Sequence, residues 1–206
     1  MVAVVAAPEV DMELSDATVS SLLESTLSAE GRGRVVSLSR TRVALGGEKH
    51  RTVSQDFADT GRLANTALQQ VMATPLDARR GLLIRLEQNE TDMLEPEDLP
   101  FRGEGGDAVN DRRTVVLAAR RQVRVAATLL DLTTGSVRWQ RAWTAAPVAS
   151  TDYVRYTGSS LSGSLTATIA NSVVNGLRGP AAPPPPGLDV ALQAVFRELA
   201  QSLPGR

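Results

Sequence analysis

Apolar residues fall into one unbroken run at the start of the chain and into two different periods further on. Val2 to Ala7 is β-branched and apolar throughout, the pattern of a strand buried on both faces and set centrally in a sheet. Behind it, Val19, Leu22, Leu23 and Leu27 share one face of a helix that Ser15 or Asp16 can cap. After the flexible Gly31-Arg32-Gly33, the run Val35-Val36-Ser37-Leu38 predicts a second strand, and strand, helix, strand in that order predicts parallel pairing through a helical crossover. Gly46 to Thr60 is polar and reads as a loop or a fragment of helix. From Gly61 to Ala73, helical spacing returns in Leu63, Ala67, Leu68, Val71 and Met72; Pro75 ends that helix, and Leu82 to Glu87 forms a third strand.

The next segment breaks the pattern. Thr91 to Arg113 holds Pro96, Pro100, Gly103, Gly105, Gly106 and many acids with no usable apolar period, which predicts a long mobile loop near 91–113. Thr114 to Leu132 then alternates, with Val123, Val125, Ala127 and Leu129 on one face and Arg124, Ala126, Thr128 and Leu130 on the other. Thr133-Thr134-Gly135 is turn chemistry, Asp131 can accept from the turn amides, and alternation resumes through Val137, Trp139, Arg141 and Trp143. Asp131, Thr134, Gly135, Trp139 and Trp143 therefore define a long antiparallel hairpin, with the two tryptophans on one face as packing anchors.

Leu161, Leu165, Ile169, Val173 and Leu177 recur every four residues and predict a further helix. Gly179 to Gly187 is a proline-rich spacer, and Leu188 to Leu203 an amphipathic helix. The organisation expected is one α/β domain over 1–178, a spacer over 179–187, and a terminal helix over 188–206 packing on the same domain. The fold class is α/β with a mixed sheet, in two or three layers, ending in the long hairpin. A stiff tether also allows the last helix to dock elsewhere, which makes Leu192, Phe196 and Leu199 candidate partner-binding residues.

Composition narrows the chemistry. With 206 residues and 42% hydrophobic residues the chain can bury a core without a cofactor, and at 3% aromatics that core is aliphatic. A net charge of -1 with both signs interspersed gives no field for nucleic acid. There is no cysteine, and no apolar run reaches the roughly 20 residues of a membrane helix. Met1 to Ala7 lacks a basic region and runs into Pro8, so it reads as a strand and not as a leader; an exported protein would have carried its signal ahead of it.

Catalytic motifs are sparse. The single lysine, Lys49, is not in a phosphate loop, and Gly103-Glu104-Gly105-Gly106 neither follows a strand nor opens a helix. His50 is the only histidine, sits among polar residues, and has no Gly-x-Ser-x-Gly elbow to serve, which reads as a solvent-exposed loop residue. Glu87, Glu90, Asp92, Glu95, Glu97 and Asp98 match no calcium loop and read as a solvated acidic stretch. Arg112-Arg113 and Arg120-Arg121 read as solvated strand positions. No catalytic, cofactor-binding or metal-binding residue is assigned.

The element order together with Leu129-Leu130-Asp131-Leu132-Thr133-Thr134-Gly135-Ser136-Val137-Arg138-Trp139 resembles bacterial envelope lipoproteins related to the curli secretion protein CsgG and the amino-terminal domain of TolB. The likeness lies in Asp131, Thr134-Gly135 and Trp139, and the closing Phe196 to Pro204 resembles the last helix of such lipoproteins. The chain departs from them in having no lipid-acceptor cysteine and no pair of long amphipathic hairpins, so a membrane pore is not expected. The resemblance implies a non-enzymatic, periplasm-facing accessory or assembly domain, natively lipid-anchored, that binds a protein partner of the cell envelope. Two other readings stay open: a hydrolase or ligand-binding enzyme using the acidic loop with His50, and a cytoplasmic subunit docking through its last helix.

Overall fold

The computed structural model describes residues 2–6, 14–32, 34–74, 76, 78–158 and 181–204. Its strands are β1 (Val2–Ala6), β2 (Val35–Val36), β3 (Arg80–Met93), β4 (Glu97–Arg102), β5 (Ala108–Asp131), β6 (Val137–Ala145) and β7 (Val148–Tyr156). The helices among the described residues are α1 (Asp16–Ala29), α2 (Leu38–Leu45), α3 (Gly47–Thr60), α4 (Asn65–Met72) and α5 (Leu188–Ser202). The chain divides into two units, one built from Met1–Glu90, Gln122–Ala146 and Gly187–Arg206, the other from Thr91–Arg121 and Pro147–Pro186. Strands β3 and β5 contribute residues to both.

In the first unit the strands lie in the order β2-β1-β3-β5-β6, with β1 parallel to both β2 and β3 and β6 antiparallel to β5. This is the mixed sheet expected from the strand–helix–strand opening and the closing hairpin. Side chains alternate across it. Leu82, Ile84 and Leu86 of β3, Val123, Val125, Ala127 and Leu129 of β5 and Trp143 of β6 share a core with Val19, Leu23 and Leu27 of α1 and with α5. Leu83 and Leu130 point the other way, into a second core with Val53 and Phe57 of α3 and Ala67 and Val71 of α4. The sheet is thus the middle of three layers, and the period of two read in residues 123–130 assigns both of its faces.

Local chemistry explains the helices. Ser15 caps α1, its Oγ accepting from the Thr18 amide at 3.3 Å, and Ser37 caps α2 in the same way. The stretch read as a loop or a fragment of helix from Gly46 is the full helix α3, whose His50, Val53 and Phe57 recur at three- and four-residue steps on one buried face. So narrow a stripe in a polar segment is easily missed. It also moves His50 from the solvent-exposed loop expected for it to a buried helical position, 5% exposed.

The terminal helix packs on its own domain. Leu188, Leu192, Val195, Phe196 and Leu199 of α5 are all buried in the core shared with α1, each contributing about 1.5–3 kcal/mol of burial free energy. Leu192, Phe196 and Leu199 are therefore core residues and not the partner-binding surface expected of them, because the aliphatic face that made them candidates is satisfied within the chain.

The described strands of the second unit form a β ribbon. The amino-terminal half of β5 pairs with β4 on one side and with β7 on the other, both antiparallel. The segment read as a mobile acidic loop is thus mostly strand: the end of β3, all of β4, a tight turn and the start of β5. In the turn, the Gly103 amide donates to the Asp107 carbonyl at 3.0 Å and Gly106 takes a φ of 82°. Pro100 is compatible with β4 because, among the described residues, that strand pairs with β5 alone, and an edge strand tolerates a missing amide. Arg121 is not the solvated position expected either: it is 5% exposed, and its Nε donates to the Pro186 carbonyl at 2.6 Å within the spacer. The helix predicted over Leu161 to Leu177 lies outside the described residues.

Candidate functional site

The β5–β6 turn is a closed network of hydrogen bonds. Asp131 Oδ1 accepts from the Thr133 amide at 2.9 Å and from the Thr133 hydroxyl at 2.5 Å, while Oδ2 accepts from Arg138 Nε at 3.1 Å and Nη2 at 2.5 Å. The Thr133 hydroxyl first, then Arg138 and the Thr133 amide, hold the Asp131 carboxyl far below the usual carboxylate range. Thr134 and Ser136 share a hydroxyl hydrogen bond at 2.8 Å. Gly135 has a φ of 72°, and a Cβ there would meet Leu68 Cδ2 of α4 at 2.8 Å, so the glycine is needed both for its backbone and for close packing. Trp139 and Trp143 lie on one face with centroids 5.3 Å apart, Trp143 buried and Trp139 packed against the same core. Each of these hydrogen bonds joins residues of the turn and its two flanking strands.

Behind the hairpin, on the α3–α4 side of the first unit, the described residues enclose a cleft of about 310 Å³. Its walls are Phe57, Leu63, Leu68, Leu83, Leu130 and Val137, with Arg62, Thr128 and Gln140 as the polar side chains. A second, shallower depression of about 360 Å³ lies along α2, where Val36, Ser39, Arg40, Val43, Ala44 and Leu76 line it and Val43 is largely exposed. Neither was visible in the sequence, since each is assembled from elements far apart in the chain. The signal that existed was indirect: Gly61 and Gly135 flank the first cleft, and both adopt positive φ.

In the second unit the ribbon has two unlike faces. Directly opposed residues in antiparallel strands share a face, so Leu99, Thr114 and Val154 form one row, Glu97, Val116 and Asp152 the next, and Arg120 and Val148 another. On this face Leu99 is 45% exposed and Val148 51%. Val115 and Ala119 point to the opposite face and are buried. Ion pairs stitch the strands: Arg120 Nη2 meets Asp92 Oδ2 at 2.6 Å, and Arg155 bonds Asp98. The hydrogen bond from Arg120 lowers the Asp92 pKa, and the same bond raises that of Arg120.

Of the acids considered for hydrolysis, Glu87 is tied to Arg124 in the first unit at 2.9 Å, Asp92 and Asp98 are tied to Arg120 and Arg155 in the second, and Glu95 lies between β3 and β4. No group of three or more metal-ligating side chains occurs among the described residues.

No family model and no curated protein matches the chain. Among solved structures it is similar to the PelC dodecamer from Paraburkholderia phytofirmans, with 15% identity, coverage of 96% of this chain and 82% of that one, and a TM-score of 0.35. It is also similar to lipoprotein GNA1162 from Neisseria meningitidis, with 15% identity, coverage of 84% and 96%, and a TM-score of 0.31.

Proposed function

We propose that this chain is a non-enzymatic assembly domain of the bacterial cell envelope, facing the periplasm, that binds a partner protein through the open face of its β ribbon. The observation that carries this reading is the contrast between the ribbon's faces: Val115 and Ala119 are buried, whereas Leu99 and Val148 stand exposed on the other side beside Val116 and Val154. Leu99, Val116, Val148 and Val154 share this open face with Glu97, Asp152 and the Asp92–Arg120 pair, and apolar positions mixed with charged ones are the make-up of a non-obligate protein interface. The envelope assignment rests on the resemblance carried by the Asp131 to Trp139 hairpin. A non-enzymatic role is supported by the acids themselves: Asp92 is held ionised by Arg120, the wrong state for a general acid at neutral pH.

The test is to tag the protein in its own host, fractionate the cells, and capture it from the envelope fraction beside the double variant Leu99→Ser, Val148→Ser. Wild type is expected to bring down a stoichiometric partner that the variant loses, with stability changed by less than about 0.5 kcal/mol because both side chains are surface positions. Recovery outside the envelope fraction, or a partner that the variant retains, overturns the proposal.

A further inference from the structure

We infer that the 310 Å³ cleft behind the hairpin is a binding site for a single aliphatic chain ending in an anionic group. The cleft lies wholly within the first unit and does not depend on the ribbon. It forms where α3 stops at Gly61, in the left-handed conformation, and the chain turns through Arg62 and Leu63 before α4 begins. Beneath that turn the sheet presents Leu83, Leu130 and Val137, and Val137 is 58% exposed although it stands among aliphatic neighbours. An aliphatic occupant would take this surface out of water. The volume is at the small end of the roughly 300–1,000 Å³ of small-molecule clefts.

The polar groups say which end the occupant presents. A Cβ on Gly61 would come within 2.7 Å of Arg85 Nη1, so the Arg85 guanidinium lies over a residue that lines the cleft. Arg62 lines the cleft itself, and its guanidinium makes no ion pair with any described residue. The carboxylate nearest Arg85 is Glu87, at 4.0 Å, and it is already bonded by Arg124 at 2.9 Å. Arg62 on the cleft wall and Arg85 over the adjoining Gly61 are the cations available there, and they complement a carboxylate or a phosphate. Among the described residues Thr128 and Gln140 are the other polar side chains on the walls, too few for a sugar or a base. A free carboxylate and the acyl chain and headgroup of an anionic lipid share this chemistry.

Decanoate is the probe for the first source, and phosphatidylcholine vesicles with and without phosphatidylglycerol for the second. Methyl-labelled full-length protein is titrated with each and followed by NMR. Saturable shifts confined to the methyls of Leu63, Leu68, Leu83, Leu130 and Val137 are expected with decanoate, or with the anionic vesicles if the source is a lipid; either supports the site. Arg62→Glu, an exposed position, should weaken binding about tenfold through loss of a charge-assisted contact. Val137→Trp fills the cleft from its open side and should abolish binding while the remaining spectrum is unchanged. Decanol should bind far more weakly than decanoate, and decyltrimethylammonium not at all. Absence of saturable shifts from both probes, equal binding of decanol and decanoate, or retention by Val137→Trp overturns the inference.

Discussion

The two units of this chain use the same strands to opposite ends. In the first, residues Val123 to Leu130 of β5 are sandwiched between helices, so that alternate side chains enter two separate aliphatic cores. In the second, the described neighbours of the same strand are β4 and β7: Val115 and Ala119 are buried, while Leu99 and Val148 on those strands stand open. Stability in the first comes from apolar area removed from water. Among the described residues of the second, ladder hydrogen bonds and cross-strand ion pairs such as Asp92–Arg120 tie the strands together, and pairs of this kind at the surface are weakened by water and salt.

The largest expected effect tests whether the first unit is the folding core. Phe196 is wholly buried where α5 meets α1, and it is the one large aromatic in an otherwise aliphatic layer apart from the tryptophans of β6. Phe196→Ala should cost about 3–5 kcal/mol in chemical denaturation, from lost transfer free energy and the cavity left behind. A loss comparable to that of the ribbon variant Leu99→Ser, Val148→Ser would erase the distinction between the units.

Next is the hairpin glycine. Gly135→Ala must place a Cβ 2.8 Å from Leu68 Cδ2 and keep a φ of 72°. A cost of about 1–3 kcal/mol is expected, the sum of the left-handed backbone penalty and displacement of α4. Loss of the Leu68 methyl chemical shift together with stability would locate the damage at that contact.

The same comparison explains what was legible in the sequence. Elements of the first unit announced themselves because burial writes a period into the chain: Val123, Val125, Ala127 and Leu129 could be assigned to one face before any coordinates, and the Asp131 to Gly135 turn follows from its chemistry alone. The ribbon left no such trace. Its strands are exposed on one side, so Glu97, Asp98 and Pro100 looked like loop composition, although β4 carries them and Arg155 bonds Asp98 across the sheet. Helix α3 could be read only as a loop or a fragment of helix for a related reason, since His50, Val53 and Phe57 are its only buried residues. The candidate sites were the least legible part. Leu63, Leu83, Leu130 and Val137 meet only in the tertiary structure, and Leu192, Phe196 and Leu199 drew attention as an unpartnered face because a sequence does not reveal that α1 covers them.

The smallest effect concerns the hairpin's acid. Asp131 has its carboxyl held well below the ordinary value, chiefly by the Thr133 hydroxyl and then by Arg138. A depressed folded-state pKa stabilises the fold above the unfolded value of about 3.9 and loses that contribution as pH falls through the folded value. Asp131→Asn should therefore be less stable than wild type at neutral pH, and the two should converge as pH drops below about 4, where the wild-type carboxyl begins to protonate in the unfolded chain. The difference should be modest, because Arg138 is 60% exposed and salt screens its share. The Thr133 share is a hydrogen bond between neighbouring side chains and should persist in high salt. Urea midpoints for both proteins at neutral and acid pH, with and without added salt, separate the two contributions: a gap that vanishes in salt would assign the turn to Arg138, and one that stays would assign it to Thr133.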